Sequence, residues 1–492
     1  MKNDSKKLLP WSKTDIVKNV ITYVANYVIL LGLFLLAIYA NSALLDGANL
    51  KDYLVEVRKL LFIAVTIGVM IIVMAVYFFF EDRNFLKNAV NSEMLFLIVE
   101  LGLIIAHAVG VGISRYLRPL TLVTILTLFL TNRRSAVFMS VFFFVLTIMF
   151  EFITTPTMLM TDYVGLILGF GSSIVSVYYF EKVYSRIKLL FRSVIISLPI
   201  IALAAVEILS GKEELIWQSL VCSLCSGPFA VACCIILLPL FEVLFKRVSI
   251  FRLEELTNHK SKLISRMIKE APGTFNHSMM VSNIAEACAS AIEEDALLAR
   301  TCAYYHDIGK LRRPEYFGEN QAGGQNLHDD LTPELSTNII KSHAKDGYEL
   351  ILKHRLPKVI ADVCVQHHGT MPILYFYDKA KKFTDGEVDV KQYCYTGPKP
   401  QTKIAAIIMI ADGCEAATRT VKDRSRENVK KVVRNIVNER MQMGQFDECE
   451  ITIKELNIII HTIVNNFTGI YHSRVEYPKV NLSGLEPSEQ DE

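Results

Sequence analysis

The sequence predicts an all-α protein in which a polytopic bundle of transmembrane helices precedes a second, entirely helical domain. Of the 492 residues, 52% are hydrophobic, and nearly all of this apolar excess lies before residue 246. After residue 273 the apolar residues recur with helical spacing, and strand signals are sparse. Ten of the eleven histidines lie after residue 258. We therefore expect the first half of the chain to lie in the membrane and the second half to contain the functional site.

Apolar segments long enough to cross a membrane fill the first half of the chain. A span needs about 20 apolar residues to cross roughly 30 Å of hydrocarbon. The fourth and fifth segments are short, and the sequence TNRRSA (131–136) between them is typical of a tight turn. We predict about eight helices within 20–245, and hence a multi-pass protein of the cell membrane. The segments are 20–40, 60–80, 94–113, 117–131, 136–152, 158–180, 193–210 and 216–245.

The distribution of lysine and arginine predicts the orientation of these spans. Basic residues concentrate in the N-terminal segment 1–19 and in the turns around residues 133, 186 and 247, which share one side if there are eight spans. The opposite loops hold fewer basic residues. Because cytoplasmic loops carry the excess of Lys and Arg, we expect the N-terminus and the second domain to be cytoplasmic.

A few ionisable residues lie within the predicted spans, where they are costly. Glu100 and His107 are seven residues apart and so share one helical face, and Glu151 and Asp162 lie near span ends. Glu100 and His107 are interpreted as a buried pair, as the lining of a ligand cavity, or as interhelical hydrogen bonds that aid packing. They offer little support for a transporter, which would need a polar path through the spans.

The second half begins with a charged segment, 246–272, predicted to be an amphipathic helix that is either a mechanical link or a contact between two copies of the chain. The domain proper is predicted at 273–480. Residues 378–402 are polar and rich in Lys, Asp, Gly and Pro, which is typical of a loop or lid. The acidic tail, 481–492, is predicted to be disordered. Helices are predicted at 274–292, 296–306, 333–355, 357–367, 403–420, 423–443 and 451–468.

Composition excludes several other classes of protein. The net charge of +2 gives no support to a protein that binds a nucleic acid polymer. The ten cysteines show no pair of CxxC motifs at zinc-finger spacing, and their scatter is typical of reduced thiols.

Histidine and aspartate residues recur on five predicted helical stretches of the second domain. A single histidine on an apolar helix is usually a packed core residue, but two adjacent pairs, HD and HH, are harder to explain in this way. Imidazole and carboxylate are ligands that suit Mn²⁺, Fe²⁺ and Zn²⁺. The step from His277 to His306 fits one helix out and a second helix back. The candidates are His277, His306, Asp307, His343, His367, His368 and Asp412.

Four motifs carry a family resemblance: APGTFNHS (271–278), HDIGKLRRPEYFGENQ (306–321), QHHGT (366–370) and GPKPQTKIAAIIMIADGCEAATR (397–419). They resemble the HD-superfamily phosphohydrolases, and more narrowly the HDIG domain of the seven-transmembrane HD receptors, which hydrolyse cyclic di-AMP. The resemblance covers roughly 250–472. The chain lacks a GYP run after the HH pair, which disfavours the related cyclic di-GMP phosphodiesterases.

The resemblance implies a dinuclear metal site holding two divalent transition-metal ions, most naturally manganese or iron. The residues that match His277, His306, Asp307 and Asp412 hold one ion in that family. Those that match His343, His367 and His368 hold the second, with the equivalent of Asp307 as the bridge. The implied reaction is hydrolysis of cyclic di-AMP to linear pApA by a hydroxide that bridges the metals.

Other polar residues near the motif are candidates for substrate contacts. Lys310, one turn after the HD pair, is predicted either to contact a phosphate oxygen in catalysis or to be a solvated surface residue. Arg312, Arg313 and Arg419 are weaker phosphate candidates. The alternative functions are a receptor that senses a nucleotide without hydrolysing it, and a phosphodiesterase for another nucleotide such as cyclic di-GMP. The expected partners are a cyclic dinucleotide, the bilayer and a second copy of the chain.

Overall fold

The computed structural model describes residues 12–41, 57–154, 160–211, 216–321, 326–383, 387–421, 423 and 425–470. The predicted acidic tail and most of the loop after the first span lie outside these residues. The chain divides after Leu256 into two compact units. In the described residues of both units the regular elements are helices, and no strand occurs among them. The predicted all-α fold class is confirmed.

The first unit is a bundle of long apolar helices. In its described part these are α1 (Lys13–Asn41), α2 (Val57–Glu81), α3 (Arg83–Lys87), α4 (Ala89–Gly112), α5 (Leu122–Leu130), α6 (Arg133–Thr154), α7 (Met160–Phe180), α8 (Arg186–Leu209), α9 (Ile216–Phe245) and α10 (Ile250–Thr257). Within the described residues, seven helices are long and apolar enough to cross a membrane: α1, α2, α4, α6, α7, α8 and α9. The chain is a multi-pass membrane protein.

The fourth predicted span, 117–131, is not a helix of membrane length, which corrects the prediction of about eight. Its helix, α5, has only nine residues, about 13 Å at 1.5 Å per residue, against roughly 30 Å of hydrocarbon. The residues before it form a short 3₁₀ turn and irregular backbone up to Thr121. Pro119 contributes to this irregularity, because proline disfavours helical backbone in the preceding residue.

The chain nevertheless returns across the bundle through this segment, because α4 and α6 are parallel. Near its start α4 contacts the chain that follows α9, where Arg247 donates to the Asn91 side chain at 2.6 Å. Near its end α4 contacts the far part of α6, where His107 Nδ1 lies 3.2 Å from Glu151. The start of α6 lies beside the end of α2, which leads into α4, since Arg134 lies 2.7 Å from Glu81. Residues 113–132 therefore run from one face of the bundle to the other.

Three of the four ionisable residues within the predicted spans form ion pairs or hydrogen bonds near the far ends of α4 and α6: His107, Glu151 and Asp162. Glu151 accepts from His107 and from Arg118, the latter at 2.8 Å. Arg115 pairs with Asp162 at 3.1 Å. Of the three interpretations, the buried pair of Glu100 with His107 is therefore wrong, because His107 makes an interhelical hydrogen bond to Glu151. The geometry of His107 therefore favours the third interpretation, an interhelical hydrogen bond that aids packing.

The predicted amphipathic helix at 246–272 is two helices, α10 and α11 (Lys262–Glu270), rather than one. An Asn-initiated turn interrupts it: Asn258 Oδ1 accepts from the backbone N–H of Lys260 at 2.9 Å. Asparagine competes with helical hydrogen bonds in this way. The boundary between the two units falls at this interruption.

The second unit is a helical domain whose helices agree closely with the sequence periodicity. Its described helices after α11 are α12 (Pro272–Ala291), α13 (Ala296–Tyr305), α14 (Pro333–Lys353), α15 (Lys358–Gln366), α16 (Leu374–Phe383), α17 (Lys403–Thr420), α18 (Arg426–Gln442) and α19 (Ile453–Ile470). Helix α16 extends into the segment that was predicted to be a loop, because its apolar face, including Phe376 and Ala380, packs into a small core with Tyr393.

Candidate metal centre

The HD pair lies at the end of α13, where the helix gives way to a 3₁₀ turn. His306 caps α13, and Asp307 precedes the turn Ile308–Arg312. Both side chains are buried. In a continuous α-helix, two adjacent side chains point about 100° apart. The change of helix type here lets the side chains of His306 and Asp307 point into the same space.

The glycine of the HDIG motif allows α14 to approach this turn. A Cβ atom on Gly309 would overlap the backbone carbonyl of His343, on α14. The close approach places His343 Nε2 at 3.2 Å from Asp307 Oδ1. Close packing of α14 against the turn therefore requires glycine at position 309, and this packing determines the distance between His343 and Asp307.

The HH pair follows α15 directly and is fixed by a sharp reversal of the chain. Gly369 has a positive φ of 51°, a backbone conformation that residues other than glycine rarely adopt. After the reversal, the Gln445 side chain accepts from the backbone N–H of Thr370 at 3.0 Å. His367 and His368 are thereby held at the end of their helix.

Seven predicted side chains converge around Asp307, and we refer to them as the cluster: His277, His306, Asp307, His343, His367, His368 and Asp412. His277 on α12 and Asp412 on α17 meet at 3.0 Å. Asp307 Oδ2 lies 3.3 Å from His306 Nε2, and Asp307 Oδ1 lies 3.6 Å from His367 Nε2. Ligand atoms of Asp307, His343, His367 and His368 all lie within 4.8 Å of one another, as do those of His277, His306 and Asp307.

The hydrogen bonds of the imidazoles leave their Nε2 atoms available as ligands. Nδ1 of His306, His343 and His367 lies 2.7, 2.6 and 3.2 Å from the backbone carbonyls of residues 303, 340 and 363. Nδ1 of His277 lies 2.6 Å from Glu415. Since each acceptor requires a proton on Nδ1, the Nε2 lone pair faces the cluster. His306 Nε2 and Asp307 Oδ1 are buried without a hydrogen-bond partner among the described residues. This donor set fits divalent metal ions.

The charges of the cluster also favour a cation. Burial alone would raise the pKa of Asp307, but the ammonium of Lys310 and the nearby imidazoles hold it well below its usual range. Burial alone would lower the pKa of His277, but its hydrogen bonds to Asp412 and Glu415 outweigh burial and raise the pKa to about 10. The carboxylates therefore stay ionised, and a bound cation would displace a proton from the cluster.

Lys310 lies beside the cluster, whereas two of the three candidate arginines have other partners. The Lys310 ammonium lies 2.8 Å from Asp307 and 2.7 Å from Glu319. Arg312 pairs with Asp346 on α14, and its side chain is 64% exposed. Arg419 pairs with Glu415 at 2.5 Å, and Arg313 is exposed.

Sequence reasoning missed three residues beside the cluster. Glu415 follows Asp412 by three positions on α17 and so shares its helical face, a spacing that could have indicated it. Glu319 is the second partner of Lys310. Tyr395 stacks on His368 with ring centroids 4.3 Å apart. Glu319 lies in a three-residue 3₁₀ turn and Tyr395 in irregular backbone, and in neither place does hydrophobic periodicity give a signal.

Comparison with known proteins agrees with this architecture. The family model for the HD domain matches residues 274–417, and that of the 7TM receptor with intracellular HD hydrolase matches residues 57–249. The cyclic-di-AMP phosphodiesterase PgpH of Bacillus subtilis is 39% identical over 82% of this chain and 58% of its own length. The protein of the same name from Listeria monocytogenes is 48% identical over 49% of this chain and 33% of its own length. The chain thus spans less than two thirds of the length of either relative.

A crystal structure of the L. monocytogenes PgpH HD domain in complex with cyclic di-AMP is 47% identical to this chain, with a TM-score of 0.42, and the match covers 44% of this chain and 100% of the crystallised one. A bundle of membrane helices followed by a helical domain with a buried His/Asp cluster defines a membrane-anchored HD-domain protein. The family models and the relatives agree with that class. In both its membrane bundle and its helical domain, the chain is similar to the 7TM receptors with an intracellular HD hydrolase domain.

Proposed function

We propose that the chain is a membrane-anchored, metal-dependent phosphodiesterase that hydrolyses cyclic di-AMP to linear pApA. The observation that carries this proposal is the convergence of seven side chains on one buried centre around Asp307. The Nε2 atoms of four of the imidazoles are directed inward: those of His277, His306, His343 and His367. A domain that only sensed a nucleotide would have no need of this complete set. The substrate is proposed from the two relatives, whose names state cyclic di-AMP.

Two overlapping sets of residues would hold two ions, with manganese or iron as the proposed metals. His277, His306, Asp307 and Asp412 form the first set, and His343, His367 and His368, with Asp307 again, form the second. Metal ions in such a pair of sites supply charge that stabilises the phosphate oxygens, and they acidify water for attack on phosphorus. The mixture of imidazole and carboxylate suits these metals better than Mg²⁺, which prefers oxygen ligands.

The residues of the chain position these groups and the substrate. Lys310 fixes the orientation of Asp307 through its ion pair, and Glu319 holds Lys310 from the other side. We propose that Lys310 also contributes partly to catalysis, through one phosphate oxygen. In the net reaction, water adds to one phosphorus, the P–O3′ bond breaks, and the 3′ oxygen leaves with a proton. The reaction needs no side-chain nucleophile.

The experiment is hydrolysis of cyclic di-AMP by the purified full-length chain in detergent, with added Mn²⁺ and with a chelator. We expect pApA with Mn²⁺, and loss of activity with the chelator and in Asp307→Asn. Lys345→Ala, at a side chain that is 81% exposed, serves as the control. Tight binding of cyclic di-AMP without turnover would favour the receptor alternative. Faster turnover of cyclic di-GMP would reassign the substrate.

We also propose that the N-terminus and the HD domain are cytoplasmic. The parallel arrangement of α4 and α6 supports an even number of crossings, so that both ends of the bundle share one face. At the opposite face Arg115 and Arg118 are each paired with carboxylates, so they add little net positive charge there. Self-association through the HD domain or through 246–272 stays a prediction, which light scattering of the detergent-solubilised chain would test.

A further inference from the structure

The cluster is closed on most sides and open on one. The side chains of His306 and His367 are fully buried, whereas those of His368 and Asp412 are 25% and 15% exposed. A phosphodiester that reaches the cluster must therefore pass His368 and Asp412. We call this opening the mouth.

The ring of Tyr395 borders the mouth. It stacks on the His368 ring at 4.3 Å between centroids, with an angle of 25° between the planes. It also meets the His343 ring nearly edge-on, at 6.1 Å and 83°. Tyr395 itself is only partly buried, so the phenol lies between the cluster and the solvent.

Backbone contacts fix Tyr395 in this place. Its N–H donates to the carbonyl of Met371 at 3.0 Å, and Ile373 donates to the carbonyl of Tyr393 at 2.8 Å. These bonds close the base of the segment 371–395, whose helix α16 packs through Phe376 onto Tyr393. The ring is thus positioned before any substrate arrives, which lowers the cost of ordering it.

We propose that Tyr395 is a substrate-binding residue, whose phenol O–H donates a hydrogen bond to a phosphate oxygen of the phosphodiester at the mouth. The proposal rests on the proposed function for the identity of the substrate, but its chemistry requires only a phosphate group. A phenol is a suitable donor here because it carries no charge and brings an aromatic body that packs on imidazole. A purely structural role, in which the ring only supports His368, is the alternative.

Tyr395→Phe separates the two roles, because it keeps the ring and removes the hydroxyl. We expect the Mn²⁺-loaded full-length variant to bind inorganic phosphate about tenfold more weakly than wild type, since a hydrogen bond to a charged acceptor contributes at least this factor. Metal content should be unchanged. The matched control is Tyr375→Phe, at a tyrosine of α16 that is 62% exposed, and it should bind phosphate as wild type does.

Equal phosphate affinity in wild type and Tyr395→Phe, or no phosphate binding to wild type at all, would overturn the proposal. Reduced metal content in Tyr395→Phe would also overturn it, because the hydroxyl would then act on the metal site and not on phosphate. If wild type fails to hydrolyse cyclic di-AMP but the tenfold difference in phosphate binding is present, the proposed function is wrong and the role of Tyr395 stands.

Discussion

Replacing Glu415 by alanine is expected to weaken metal binding about 10- to 100-fold, although Glu415 is outside the cluster. Its carboxylate accepts from His277 Nδ1 at 2.6 Å, and both residues are buried. A hydrogen bond to a charged group contributes about 1.5–3 kcal/mol, which corresponds to roughly 10- to 100-fold in an equilibrium constant. Loss of a partner of this kind typically reduces metal affinity by the same factor.

The assay is a titration of the purified, metal-free full-length chain with Mn²⁺ against a competing chelator. Glu415→Gln keeps an acceptor without the charge and should lie between alanine and wild type. Arg419→Ala removes the ion pair with Glu415 but leaves the bond to His277, so it should change affinity by no more than about threefold, because the Arg419 side chain is half exposed. Glu427→Ala, at an exposed residue of α18, is a second control. Wild-type metal affinity in Glu415→Ala would refute the reasoning.

Four further predictions concern packing, catalysis, metal content and topology. Gly309→Ala should lower the stability of the HD domain by about 1–3 kcal/mol, as overpacking does, whereas Gly318→Ala, where a Cβ meets open space, should leave the melting temperature unchanged. Lys310→Ala should reduce kcat partially and not abolish it, and a complete loss would mean that Lys310 is essential to the chemistry. Elemental analysis should find about two transition-metal ions per chain and neither in Asp307→Ala, and a single ion in active wild type would contradict the dinuclear proposal. Reporter fusions at the two ends of the chain should both report the cytoplasm, and opposite sides would exclude an even number of crossings.

The helices of the second domain were predictable because their apolar residues repeat with a clear helical period. Helix α17, Lys403–Thr420, has the predicted bounds. Helix α16 was largely missed, because its apolar face is short and follows the proline-containing turn after the HH pair. The break in the linker was missed because it depends on one asparagine side chain bonding to the backbone, and this contact leaves no periodic signal.

The structure brings all seven cluster residues together, as the order of the motifs predicted. That they act as metal ligands stays a proposal. The neighbours of the cluster were less accessible to sequence reasoning. Tyr395 is 27 positions from His368 in the sequence, and only the backbone pairing near Met371 brings it close. The interhelical hydrogen bond of His107 was among the alternatives, but its partner, Glu151, was not identified, because helical spacing identifies neighbours on one helix and this bond joins two helices.

Helix α5 has a consequence for how the protein enters the membrane. All nine of its residues are buried within the bundle, so this segment does not face lipid once folding is complete. A helix of this length is too short to be inserted as an independent span. It is joined to α6 by a tight turn, in which Asn132 Oδ1 accepts from the backbone N–H of Ser135 at 2.9 Å. We therefore expect the two segments to be inserted together as a hairpin, and α5 to reach its final depth only when its neighbours close around it.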